Sequence, residues 1–209
     1  MKNILLTITG PSLTGKTELM NRFKQHGFEE LVSVTTRQKR MGEVEGETYN
    51  FISVEQFKAL VDNNKMLQHN PVDDNYYGLP LSSYETISKK NKNAVIVVAP
   101  SGAKQIANYC LNHNINLYQI FINNSQELLL ERFLNRFKND SLANTQNYTK
   151  RLINMITKEQ NEWVKPALNS EDYYDIVFND FGPNNEKYVI NTVLTNISKK
   201  FNKQNKPRN

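Results

Sequence analysis

Apolar residues in this chain come as short unbroken runs separated by longer stretches in which they recur with helical spacing. Residues 4–9, Ile4-Leu5-Leu6-Thr7-Ile8-Thr9, are apolar apart from threonine and are closed by Gly10 and Pro11, which predicts a buried strand. Residues 18–25 follow the glycine turn and read as a helix. Further runs at 94–98, 117–122 and 175–178 predict strands, and 102–111, 126–137 and 148–163 predict helices. Apolar strands that alternate with helices imply an α/β fold with a parallel sheet flanked by helices.

Between residues 35 and 90 the rhythm breaks into strand-like pieces at 49–52 and 66–70, turn signals at Met41-Gly42-Glu43 and Glu45-Gly46-Glu47, and one short helix at 54–63. This segment reads as a small lobe inserted into a core made of 1–34 and 91–200. The stretch 138–147, rich in Asn, Asp, Ser and Thr between two helical runs, reads as a mobile loop, and 201–209 as a frayed basic tail.

Composition narrows this picture without changing it. A chain of 209 residues, 38% hydrophobic and 22% charged, can bury one sizeable core with a small lobe, and a second independent domain is not expected. The lone cysteine, Cys110, cannot form an internal disulfide and is expected to be a buried thiol in an intracellular protein. The N-terminal apolar run is too short for a signal peptide or a membrane span, so the expectation is a soluble, cytoplasmic protein with no membrane partner. The net charge of +5 suits a polyanionic partner, although part of the excess lies in the tail. His26, His69 and His113 show no metal-ligand spacing.

The chemistry begins at Gly10-Pro11-Ser12-Leu13-Thr14-Gly15-Lys16-Thr17, which satisfies the pattern G-x-x-x-x-G-K-[ST] between a strand and a helix, the P-loop arrangement. Glycines let successive backbone N–H groups of the loop, Ser12 and Thr14 included, point into one concavity, and the helix N-terminus adds partial positive charge. A polyphosphate such as that of ATP would be held there, with Lys16 reaching the β and γ phosphates and the Thr17 hydroxyl serving Mg²⁺. The bland alternative is a plain strand-to-helix turn.

A second group lies in Ser33-Val34-Thr35-Thr36-Arg37-Gln38-Lys39-Arg40, with Tyr49 and with Asn75-Tyr76-Tyr77-Gly78 further on. Arg37 and Arg40 offer two guanidinium forks which, with the hydroxyls of Ser33, Tyr49 and Tyr77, could surround one phosphate dianion. A third group is Arg132 and Arg136, one helical turn apart, and Arg151 beyond the polar loop. Together with Tyr174-Asp175-Ile176-Val177-Phe178-Asn179-Asp180, these motifs occur in the order of the guanylate kinases, which the chain resembles from about residue 4 to residue 180. The resemblance implies a P-loop kinase core with an inserted lobe that binds the acceptor nucleoside monophosphate and a lid at about 138–148. It implies that Ser33, Arg37, Arg40, Tyr49 and Tyr77 grip the acceptor phosphate. It also implies that Arg132, Arg136 and Arg151 close with Lys16 over the transferred phosphoryl group, and that Asn179 lies near the adenine of ATP.

The resemblance fails at the base. Members of the family usually read guanine with a glutamate, a serine or threonine and two aspartates, where this chain has Gln68, Leu79, Val97 and Ala99. A glutamate accepts from guanine N1–H and N2–H₂, whereas a glutamine offers one acceptor and one donor group. Gln68 therefore fits thymine, uracil, adenine or hypoxanthine, or guanine read through N1–H and O6. Asp73, Asp74 or His69 lies close enough in sequence to replace the missing groups.

The implied activity is transfer of the ATP γ-phosphoryl to a (deoxy)nucleoside monophosphate, GMP or dGMP or one with another base. Small-molecule nucleotides are the expected partners. A kinase of similar fold acting on a modified base within DNA would use the positive charge and Gln68, but offers no terminal phosphate for Arg37, Arg40, Tyr49 and Tyr77, so nucleic acid is not favoured. A non-catalytic guanylate-kinase-like binding module keeps the acceptor-phosphate pocket and loses the ATP cradle, whereas Gly10, Gly15, Lys16 and Thr17 are all present here.

Overall fold

The N-terminal apolar run forms a strand, β1 (Ile4–Thr9), all of whose residues are buried. Burial along the whole strand is what a central position in a parallel sheet requires. The computed structural model describes residues 3–72, 74–139, 145–169 and 174–202, with the backbone alone at 139 and 145–147. Part of the expected lid, most of the tail, and Asp73 lie outside the described residues.

In chain order β1 is followed by α1 (Lys16–Gln25), β2 (Phe28–Glu30), β3 (Val34–Thr35), β4 (Asn50–Phe51), α2 (Val54–Asp62), β5 (Met66–Val72) and β6 (Asn75–Pro80). Then come α3 (Leu81–Lys89), β7 (Asn93–Val97), α4 (Pro100–Asn112), β8 (Asn116–Asn123) and α5 (Gln126–Asn139). The remainder is α6 (Thr145–Asn154), a π-helical stretch (Met155–Val164), α7 (Lys165–Asn169), β9 (Ile176–Asn179) and α8 (Glu186–Asn202).

The chain folds as two compact units, Met1–Thr7 with Phe23–Leu117 and Ile8–Arg22 with Tyr118–Asn209, and β1 contributes to each. In the first unit the central sheet runs β2-β7-β1, with β2 parallel to β7 and Phe28 opposite Asn93. A second sheet in the same unit has the order β4-β3-β6-β5 and is built from residues 34–80. Its β5 and β6 pair antiparallel, with Gln68 opposite Leu79, and β3 carries Val34 and Thr35 beside Gly78 and Tyr77. In the second unit β1 neighbours β8, and β8 pairs parallel with β9, Ile120 facing Ile176. The α/β class with a parallel central sheet flanked by helices is the one expected.

Local chemistry sets several boundaries. The Ser53 hydroxyl accepts from the Gln56 amide at 3.2 Å while the Gln56 side chain accepts from the Ser53 amide at 2.9 Å, a reciprocal cap that starts α2. Pro100 occupies the first turn of α4, where its missing N–H costs nothing. The helical run expected at 148–163 continues past Asn154 as a π-helical stretch, on which Met155, Glu159 and Val164 are buried. Cys110 is buried, and burial pushes its thiol up to about 12, consistent with an inert packing role. Among the described residues no helix is long and apolar enough to cross a membrane, and no cluster of three metal-ligating side chains occurs.

Candidate active site

The glycine loop is shaped by sterics at its two ends. Gly10 has φ 151°, and a Cβ there would overlap the Ile122 carbonyl; Gly15 has φ 90°, and a Cβ there would lie 2.9 Å from the Phe181 ring. Leu13, at φ 66°, is a bulky residue in the left-handed region. It is held there by packing on Leu129, Phe133 and Met155 and by Arg132, whose guanidinium donates to the Leu13 carbonyl at 3.0 Å and to the Phe181 carbonyl at 2.6 Å. Arg132 thus fastens the loop. The Thr14 hydroxyl, fully buried, donates to the Pro11 carbonyl at 2.9 Å, and the Lys16 ammonium donates to the same carbonyl.

The loop opens on a cavity of about 630 Å³ lined by Ser12, Gly15, Lys16 and Thr17 and by Arg22, Arg132, Arg136 and Arg151. Arg22 is neutralised by Glu18 and Glu186, each at 3.0 Å. Lys16 is drawn down to about 8, chiefly by burial and further by Arg151, with Glu159 opposing. Arg151 is lowered by burial and by the nearby Arg136. Cations clustered and partly desolvated in one cavity describe a site for a polyanion. Lys16, Arg132, Arg136 and Arg151, expected to act together, all line this cavity, as do Ser12, Gly15 and Thr17. Gly10 and Thr14 build the loop from beneath. Asn179 does not line it: exposed at the end of β9, it accepts from the Asn123 side chain at 3.0 Å.

No pattern along the chain points to Glu159. Its buried carboxylate accepts from the Ser12 amide at 2.7 Å and from the Ser12 hydroxyl at 2.8 Å. It therefore fixes the crest of the loop and sets a negative charge beside Lys16. With the partners 147 positions apart in the chain, no local pattern could have announced the contact. Thr17 exposes a hydroxyl at the cavity wall, a hard oxygen donor of the kind Mg²⁺ takes together with phosphate oxygens and water, so the residues present fit that ion.

In the first unit Arg37 organises the second cluster. Its guanidinium is held bidentately by Glu43 at 2.7 and 2.9 Å and donates to the Tyr77 hydroxyl at 3.1 Å. It also lies 5.7 Å from the centre of the Tyr49 ring, whose hydroxyl pKa is raised, mainly by burial. Glu43, also unforeseen, receives the Arg40 amide at 2.7 Å, and the paired Arg37 guanidinium lowers its carboxyl to about 2. Its place three residues beyond Arg40 is the one signal that could have found it. The Arg40 side chain is exposed. Ser33, just before β3, is half-buried, and its carbonyl accepts from the Asn50 amide at 2.9 Å. Arg37, Tyr49 and Tyr77 are therefore brought together, whereas the Ser33 and Arg40 side chains make no hydrogen bond to them among the described residues.

Gln68 is buried on β5, and its carbonyl accepts from the Asn70 amide group at 3.1 Å. Leu79 is fully buried beside it, while Ala99 is exposed. His69 and Asp74 are exposed, and the Gln68 side chain bonds to neither.

The comparisons agree with this architecture. The family model described as guanylate kinase matches residues 2–177. A guanylate kinase of Lactobacillus johnsonii is 35% identical over 108 residues, 50% of this chain and 53% of that protein, and one of Clostridium tetani is 33% identical over 136 residues, 65% and 64% respectively. The chain thus spans about half the length of the curated relatives it matches first. A crystal structure of guanylate kinase from Anaplasma phagocytophilum superposes with a TM-score of 0.62 at 25% identity, covering 92% of this chain and 85% of that one. With its P-loop, its paired-arginine segment and a family match over most of its length, the chain belongs to the guanylate kinase family.

Proposed function

We propose that the protein is a cytoplasmic, ATP-dependent nucleoside monophosphate kinase that moves the γ-phosphoryl of ATP to the phosphate of a (deoxy)nucleoside monophosphate. The observation that carries this reading is the cavity at the glycine loop, where Lys16, Arg136 and Arg151 converge. A binding module has no use for such a cradle. In this reading residues 35–90 form the acceptor lobe, and 138–148 belong to the lid.

An acceptor phosphate is already an oxyanion, so no general base is needed, and rate comes from positioning and charge. Backbone N–H groups of the loop hold the β-phosphate, and Lys16 bridges towards the γ-phosphate. Arg136 and Arg151 stabilise the charge that spreads over the phosphoryl oxygens in flight, and Arg132 keeps the loop in shape. Thr17 would hold Mg²⁺, which when bound neutralises the phosphates and orients them for in-line transfer. Arg37, kept in place by Glu43 and Tyr77, and Arg40 receive the acceptor phosphate.

The test is ADP release with ATP, Mg²⁺ and each ribo- and deoxyribonucleoside monophosphate, with the Lys16→Ala protein as blank. Turnover with at least one acceptor is expected, and silence with all of them would overturn the reading. Arg40→Ala is expected to raise the acceptor KM by about tenfold or more whatever the base. An unchanged KM would place the phosphate site elsewhere.

Because Lys16 titrates at about 8 in the free protein, kcat/KM for ATP is expected to fall as pH rises through that value and the ammonium is lost. Glu159 raises the Lys16 pKa, so Glu159→Gln is expected to move this alkaline limb to lower pH. A limb that stays in place would show that Lys16 does not govern ATP capture.

A further inference from the structure

The second sheet of the first unit ends on β5, an outer strand whose outward-facing backbone groups are a template for further pairing. At His69 a side chain takes them. The His69 amide N–H donates to Gln105 Oε1 at 3.0 Å, and Gln105 Nε2 donates to the His69 carbonyl at 3.1 Å. One carboxamide thus stands in for one residue of a neighbouring strand. Because a backbone N–H can only donate, the oxygen and the NH₂ group of Gln105 are fixed by this contact. The same Nε2 donates to Asn70 Oδ1 at 3.2 Å, so both ends of the carboxamide are engaged by β5.

The helix that carries Gln105 comes close to the strand. Gly102 precedes it by one turn of α4 and so lies on the same face; it is buried, and a Cβ there would lie 3.1 Å from Oε1 of Gln68, the residue before His69. From this clasp, short steps lead to the acceptor cluster. Asn70 stands opposite Tyr77 on β6, so their side chains share a face of the sheet, and the Tyr77 hydroxyl receives Arg37 Nε at 3.1 Å. Tyr77 also stands opposite Thr35 on β3, two residues before Arg37. Every step from α4 to the Arg37 guanidinium is a hydrogen bond or a strand pairing within one compact unit.

We propose that Gln105 is a positioning residue for the acceptor: it docks β5 on α4 and so fixes, through Asn70 and Tyr77, where the Arg37 cluster meets the acceptor phosphate. The proposal rests on the kinase reading, which gives that cluster its ligand. Gln105 acts through the strand and need not touch the nucleotide. Without the clasp the pairing of β5 with β6 persists, so the cluster is displaced rather than dismantled. Acceptor capture suffers, and the handling of ATP at the glycine loop does not.

Hydrogen exchange on the full chain reads the docking without any ligand. In Gln105→Ala the His69 amide is expected to exchange about tenfold faster or more, while the amides of the central strand β1 keep their parental rates. An unchanged His69 rate would overturn the proposal. Steady-state kinetics with ATP and each of AMP, CMP, GMP, UMP and TMP read the consequence. The acceptor KM is expected to rise about tenfold in Gln105→Ala, with kcat and the ATP KM within about twofold of the parent. Gln105→Glu keeps the size and the oxygen that receives His69, but sets a carboxylate against the His69 carbonyl and Asn70 Oδ1, and is expected to do at least as much harm. An acceptor KM unchanged in both variants would overturn the proposal, as would a rise accompanied by equal losses in kcat, ATP affinity and Tm, the mark of a merely structural residue. A parent protein that releases ADP with none of the monophosphates would sink the kinase reading and the acceptor role with it, whereas an active parent and a Gln105→Ala protein with parental kinetics would overturn this proposal alone.

Discussion

Replacement of Lys16 by alanine is expected to lower turnover by about a thousandfold or more while leaving acceptor affinity within about twofold of the parent. The ammonium is the cation rooted in the glycine loop itself, hydrogen-bonded to the Pro11 carbonyl, and burial has already stripped it of much of its water. A charge in that state interacts strongly with a phosphate, because solvent does not screen it and no reorganisation is needed when the transition state forms. Arg132, Arg136 and Arg151 remain in the variant, so ATP still finds a positive cavity. What is lost is the bridge between β- and γ-phosphates. The acceptor cluster around Arg37 hangs on Glu43, Tyr77 and Tyr49 and does not involve Lys16, so its affinity should hold. Single-turnover ADP release with calorimetry of the acceptor separates the two effects. Turnover within about tenfold of the parent would show that the cradle is not where the γ-phosphate is handled.

Glu159→Ala is expected to be the most damaging change to the fold among residues that need not touch a nucleotide. The carboxylate supplies acceptors for two Ser12 donors and a negative charge beside Lys16. Removing it leaves a partly buried amide and hydroxyl without partners and a desolvated ammonium without a counter-charge. Losses of this kind cost about 3–5 kcal/mol. For a chain of this size that corresponds to a Tm lower by about 10 °C. Glu159→Gln keeps the shape, since the amide can accept from the Ser12 N–H and donate to its hydroxyl, and should recover most of the Tm. The charge stays missing in both variants. A Tm unchanged in the alanine variant would mean that the loop holds its crest without this carboxylate.

Read alone, the amino-acid sequence sets the main alternation of strands and helices in the α/β core, because a buried parallel strand must be apolar throughout and a packed helix must repeat its apolar face. It also identified the glycine loop, since Gly10 and Gly15 stand where any side chain would collide, and only a polyanion explains the lysine that follows. It missed β3, two residues long, because a strand that short has no period, whereas β4 falls within the strand-like piece at 49–52. It assigned no strand at β6, where Gly78 and Pro80 weaken the pattern, and no helix at α8, where many polar residues blur its face. The π-helical stretch was read as a plain helix, since its buried residues recur in steps of four and five, close to the spacing of an α-helix.

At the site the division follows the same line. Lys16, Arg136, Arg151, Arg37 and Tyr77 were legible because charge and aromatic hydroxyls at short spacing announce themselves. Glu43 and Glu159 were not, and neither was Gln105. Those depend on which groups meet across the fold: Glu159 reaches a loop far away in the chain, and Gln105 closes on the backbone of β5, 36 positions earlier. Residue type sets what a side chain can donate or accept, but only tertiary packing decides which of those capacities are already spent and which still face a ligand.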